Sequence, residues 1–339
     1  MGSVISLPIL SYFILPAMTS YSTSFNLLLF AINWYILLLT HPPLRVELIG
    51  IALVRILFYL LPSLIFLAFD GLLPSLAVAL KAQGDLALPR RSNRKRQGQI
   101  VFWSIFNLAL SIAIQASLEL LLTKVLLFRS SLSISKRLPT PYHTLKSMAI
   151  LLVARVCLQY LIHRFVLHNT RSTVTQSFAR MHILWQHSLP APYSLIASYD
   201  HPVAYLFHNF LPLYLPAWLL RTHLLPFLFT LAIVSLEECI TYSGYSYIPS
   251  AIVLPGMARR VDNHFLVKGQ GNFAAFGMLD WISGTSVGND LVDDMKAEWD
   301  TRHGNEKVVE TVDGVQGFAE GVGEKLKKGG RRRKGSGKS

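Results

Sequence analysis

Cysteine is almost missing from this chain. Its two cysteines, Cys157 and Cys239, lie inside apolar stretches, which excludes a disulfide framework and a thiolate metal site. Charge is scarce too: Asp, Glu, Lys and Arg make up 15% of the residues, where soluble domains carry about 25%. With 52% hydrophobic residues, that shortfall excludes an ordinary soluble domain. The first stretch has no Lys or Arg, so the apolar run 4–18, broken by Pro8 and Pro16, makes a poor secretory signal. It reads instead as an interfacial or retained membrane helix. Nucleic-acid motifs are also absent, so the net charge of +13 does not point to a nucleic-acid partner.

What the chain has is apolar sequence in long blocks, the pattern of helices that cross lipid rather than of an amphipathic core. The blocks are 25–39, 46–69 (with Arg55 embedded), 72–80, 100–122, 145–162, 203–220 and 224–240. They predict an all-α, polytopic membrane protein with about four to six spanning or half-spanning helices and a cytosolic helical cap. Three regions follow: an N-terminal transmembrane region 1–144 with a basic loop at 81–99, a histidine-bearing region 145–286, and a polar, largely disordered tail 287–339. The positive charge gathers in Arg90, Arg91, Arg94, Lys95 and Arg96 and in the tail from Lys325 to Lys338. Basic flanks mark the cytosolic side and suit anionic lipid headgroups. A cytosolic 90–96 block then places His163, His264 and the tail in the cytosol as well. The loop 123–142 also carries basic residues, but more sparsely.

Four of the eleven histidines fall between His163 and His187, as the pairs His163/His168 and His182/His187, just where an apolar run ends. Imidazole is the commonest side-chain ligand for transition metals at neutral pH. His163 and His168 are five apart, about 140° on an α-helix, so they meet at one metal only if the helix end bends or the second lies past it. His182 and Gln186 share a face, with His187 adjacent. His201 and His208 also share a face; His201 is a possible extra ligand, and His208 suits packing or polar capping. His41, His143, His223 and His303 read as loop residues without a partner. Glu237 and Glu238 are candidates for metal binding, for orienting a histidine, or for pairing with Arg259 or Arg260. Orientation is preferred for Glu238, because a ligating imidazole needs an acceptor for its other N–H.

The order of these motifs resembles the fatty acid hydroxylase/sterol desaturase superfamily of endoplasmic-reticulum enzymes. His163-Arg164-Phe165-Val166-Leu167-His168 matches its first histidine box. His182 through His187 matches the second, with Gln186 where the family has histidine. Ser198 through Pro202 matches its S-x-x-H-P segment, and Ser243-Gly244-Tyr245 its H-S-G-Y motif, with Tyr242 in place of histidine. In Val261-Asp262-Asn263-His264-Phe265, Asp262 and His264 of the family's HDxHH group are kept, while Val261 and Phe265 replace imidazoles. Gly271-Asn272-Phe273 and Asp280 through Thr285 match the closing N-F-G and W-D-x-x-x-G-T neighbourhoods. The similarity runs over about 145–286.

The resemblance implies iron, two ions in the family, held by histidines and activating dioxygen, with electrons from cytochrome b5 and its reductase. Here His163, His168, His182, His187 and His264 would be ligands, His201 an extra one, and Asp262 and Glu238 the residues that orient them. With four imidazoles replaced, one ion or none is open as well. The expected activity is hydroxylation or desaturation of a lipid, sterol or other apolar (polyketide or terpenoid) substrate at the endoplasmic-reticulum membrane. The alternative is a degenerate member that binds an apolar ligand or catalyses a metal-independent isomerisation or cyclisation.

Overall fold

A computed structural model describes residues 21–89, 94–245 and 254–290 and positions 292, 293, 295, 296 and 299. The run 4–18, Arg90, Arg91 and nearly all of the basic tail lie outside the described residues. The chain is all-α, and among the described residues extended pairing is limited to two isolated bridges, Lys81 with Tyr245 and Ser133 with His223. Among the described residues, those up to Gly288 form one compact unit.

Helix α1 spans Tyr21–Thr40, α2 Pro43–Leu72, α3 Pro74–Leu80, α4 Arg94–Val125 and α5 Pro141–Leu167. After these come α6 (Gln176–Trp185), α7 (202–219), α8 (Leu224–Thr241), α9 (Leu254–Leu266) and α10 (Met278–Ile282). Four of them, α2, α4, α5 and α8, are long and apolar enough to cross a membrane, so the protein is a polytopic membrane protein. The expected spanning pair 203–220 and 224–240 is thus one span, α8, beside a helix that falls short of one. Nor is 81–99 a loop throughout: α4 begins at Arg94, and Lys81 is buried against Asp70 at 2.6 Å.

Proline shapes two of these helices. Pro62 and Pro212 have no N–H to give to Phe58 and His208, and each ring would collide with that carbonyl. Each lies just past a π-turn, Ile56–Leu60 and Leu206–Phe210, in which Leu61 and Leu211 donate five residues back instead. The turn in α2 carries the buried Tyr59, and the turn in α7 carries His208.

Leucine, isoleucine, phenylalanine and valine side chains such as Leu53, Ile65, Phe102 and Val153 face outward on the spans, as lipid contact requires. Several polar side chains in the spans face inward and link neighbouring helices. Gln115 of α4 donates to Glu47 of α2 at 2.6 Å, Arg55 of α2 meets Glu238 of α8 at 2.6 Å, and Arg155 of α5 meets Glu237 of α8 at 2.7 Å. These pairs fix the rotation of α2, α4, α5 and α8. Away from the histidines, Trp34, Val46, Ile51, Leu151, Leu213 and Phe227 form a core among α1, α2, α5, α7 and α8.

Candidate metal centre

The last turn of α5 solves the spacing problem of the first histidine pair. His163–Leu167 is a π-turn, closed by the His168 N–H donating to the His163 carbonyl at 3.0 Å. A ring closed five residues on brings residues i and i+5 onto nearly one face, and the two Nε2 atoms stand 3.1 Å apart. Helix α6 contributes the fully buried His182. As α6 tightens into the 3-10 turn Gln186–Ser188, it swings His187 to the same point, and α9 brings His264 from the opposite side. One ligand nitrogen from each of these five histidines lies within 4.8 Å of all the others.

Three of the imidazoles are held through their far nitrogens. His163 Nδ1 donates to the Phe273 carbonyl at 2.7 Å, His264 Nδ1 to the Gly271 carbonyl at 2.6 Å, and His182 Nδ1 to Asp200 at 2.6 Å. An acceptor at Nδ1 fixes the proton there and leaves Nε2 a bare lone pair. The Nε2 atoms of His163 and His182 thus face each other at 3.3 Å with no proton between them. Burial pushes the pKa of His264 down to about 4, against a favourable pull from the Gly271 carbonyl. His168 and His187 are likewise held well below the usual histidine range, by burial first and then by neighbouring imidazoles. Neutral nitrogens with converging lone pairs repel one another unless a cation sits among them, so this donor set fits a transition metal.

The closing motifs build the brace for these bonds. Asp280 at the start of α10 accepts from the N–H groups of Phe273 and Ala274, at 2.9 Å each, and from the Thr285 hydroxyl at 2.7 Å. Asn272 is locked to Val287 through both ends of its amide. The loop that presents the two carbonyls is therefore tied down on both flanks. Gly269, at φ +80°, lies against the His168 ring so closely that a Cβ there would be 2.1 Å from Cε1. Only glycine fits that approach.

The structure corrects several sequence expectations. His201 stays out of the group: its Nδ1 accepts from the Val203 N–H and caps α7, and its ring packs on Trp185. Beside it, Asp200 orients His182, and its own carbonyl is held by Asn107. Asp262 does not orient a histidine; buried, it faces Gln83 and Lys81, and burial raises its pKa to about 7. Glu238 does not orient one either, because Arg55 and Asn209 take its oxygens. Glu237 pairs with Arg155, rather than with Arg259 or Arg260. His208 packs beside the group: its ring centroid is 4.3 Å from that of His163, its Nε2 faces Gln159 at 3.3 Å, and its Nδ1 meets no partner among the described residues. Sequence reasoning missed the place of His208 because it depends on the π-turn that Pro212 imposes. His223 also has a role, as the cap of α8.

Two cavities are large enough for a small molecule, and the first of them reaches His187. One, of about 650 Å³, is lined by His187 together with Arg96, Tyr193, Phe265 and Lys268. The other, of about 490 Å³, is an apolar groove between α5 and α8, lined by Leu152, Val156, Cys157, Leu236 and Ile240 and ending at Glu237. The five histidines on their braced loops are the arrangement in which a membrane protein can hold a redox metal beside space for an apolar molecule. No solved structure matches the chain. Residues 148–285, the segment that carries all five histidines, match the fatty acid hydroxylase family, consistent with the fatty acid hydroxylase/sterol desaturase superfamily.

Proposed function

We propose that the protein is a membrane-bound non-haem iron oxygenase that hydroxylates or desaturates a lipid, sterol or other apolar polyketide- or terpenoid-like substrate with dioxygen. The observation that carries this reading is the convergence of five imidazole nitrogens, three with their protons pinned on the far side. Iron in that donor set would supply dioxygen activation for C–H oxidation. The chain's own residues do the rest. Asp200 and the Phe273 and Gly271 carbonyls hold the imidazoles in the binding tautomer. The cavity beside His187 gives the substrate its place, with Arg96 and Lys268 in the wall for a polar end.

Arg96 at the start of α4 bonds Ser188, next to His187, so the basic end of α4 lies at the histidine end of the bundle. Positive charge on the cytosolic flank supports a centre that faces the cytosol of an endoplasmic-reticulum membrane, within reach of cytochrome b5 and its reductase.

The test uses full-length protein in mild detergent, loaded with ferrous iron and supplied with reduced cytochrome b5, a total membrane lipid extract and ¹⁸O₂. Label in an apolar product, or a product two hydrogens lighter, is expected, and His182→Ala should abolish both. A product isomeric with its substrate, formed equally by His182→Ala, would instead establish the metal-independent isomerisation or cyclisation.

A further inference from the structure

We propose that this chain holds one metal ion, ligated by His163, His168, His182, His187 and His264, and that the place of a second ion has been filled by packed side chains. The inference rests on the metal reading above and departs from the pair of irons typical of the family.

The size of the donor group comes first. Imidazole nitrogens sit about 2.1 Å from a bound metal, so adjacent ones in an octahedron are about 3 Å apart and opposite ones about 4.2 Å. The observed Nε2 separations are 3.1 Å for His163/His168, 3.3 Å for His163/His182 and 3.2 Å for His187/His264, and the whole group fits within 4.8 Å. That is one coordination sphere with a sixth position open. A second ion about 3.5–4 Å away would need its own donors on the far side.

Those donors are absent among the described residues in a patterned way. The four positions where imidazoles are replaced converge in space instead of being scattered. Val261 and Phe265 belong to one apolar cluster with Ile100, Tyr193 and Ile196, against which Tyr242 packs. Phe265 lies on the His187 ring at 5.2 Å, and the buried Gln186 gives its amide to the Ile196 carbonyl. Carbon occupies the ground where further nitrogen ligands would stand.

The remaining polar wall is already committed. Beside His163 and His264, a small cavity is lined by Tyr242, Val261, His208, Glu237 and Glu238. Both carboxylates are engaged, Glu238 by Arg55 at 2.6 Å and Glu237 by Arg155 at 2.7 Å, with side chains no more than 14% exposed. Two buried guanidinium cations there neutralise the acids of this wall and repel another dication. His208 is the one imidazole left over, and its Nε2 faces Gln159. A single nitrogen does not hold an ion.

The experiment is metal stoichiometry on full-length protein loaded anaerobically with ferrous iron and freed of excess, read by inductively coupled plasma mass spectrometry. About one iron per chain is expected, unchanged in His208→Ala and reduced at least tenfold in His264→Ala. After oxidation, the wild type should give a mononuclear high-spin ferric EPR signal of about one spin per chain. Two irons per chain with an EPR-silent coupled pair would overturn the proposal, as would loss of the metal in His208→Ala. No iron in wild-type protein of intact helical content would overturn the metal reading as well, which separates the two failures. The EPR count on wild type needs no variant to fold.

Discussion

On one side of the histidine group, His163, His182 and His264 have their outer nitrogens anchored by Phe273, Asp200 and Gly271, and Asp280 and Asn272 anchor that loop in turn. On the other side, Tyr242, Val261 and Phe265 pack against carbon, and the nearby acids are taken by arginines. Three of the five imidazoles stand with the partners that orient them, whereas Nδ1 of His187 meets none among the described residues. Where imidazoles are replaced, the surroundings are an apolar cluster with compensated charges.

The comparison can be broken most severely on the filled side. Arg55→Leu strands Glu238 without its cation, and removing one partner of a buried pair costs about 3–5 kcal/mol. Equilibrium unfolding in detergent should show that loss while the variant that folds still binds iron. On the braced side, Asp200→Asn should weaken metal affinity about 10–100-fold by removing the carboxylate behind His182. Competition with a chelator would read the change, with little shift in the melting temperature of the metal-free protein.

Acidity gives a third test. His264 titrates near 4 when folded and near 6.5 when unfolded, and His168 and His187 shift in the same direction. Between those values the unfolded chain binds protons that the folded chain refuses, so stability is lost as pH falls from about 6.5 towards 4 and is restored above it. Thermal melts of metal-free protein across that window should show a falling midpoint, and bound iron should delay the fall. The smallest effect is expected from Phe265→Leu, a size-similar change in the apolar cluster. It should cost less than about 1.5 kcal/mol and leave iron content unchanged.

Much of this was legible in the sequence. Apolar blocks gave α2, α4, α5 and α8 because a lipid-crossing helix needs only length and composition, which a linear reading sees directly. The five clustered histidines were legible as motif residues. The partners of the acids were not: Arg55 lies 183 residues from Glu238, and its inward rotation is a property of the bundle. Asp262 sits beside a ligand in sequence yet faces Lys81, whereas Asp200, without such a neighbour, orients His182. Adjacency along a helix says little about which way a carboxylate points. Carbonyl acceptors such as Phe273 and Gly271 carry no side-chain signature.

The π-turn at the end of α5 has a consequence for how this protein tolerates insertions and deletions. Its wide ring holds one residue more than the α-turns before it. Excising Val166 would let the helix continue regularly and leave the two histidines four residues apart, about 40° round an α-helix, so they would still share a face. Inserting a residue into a regular helix there would instead set them six apart, about 120° from one face, and a comparison of residue identities would find every histidine present although the pocket had lost a corner. The spacing of this pair therefore tolerates a loss better than a gain.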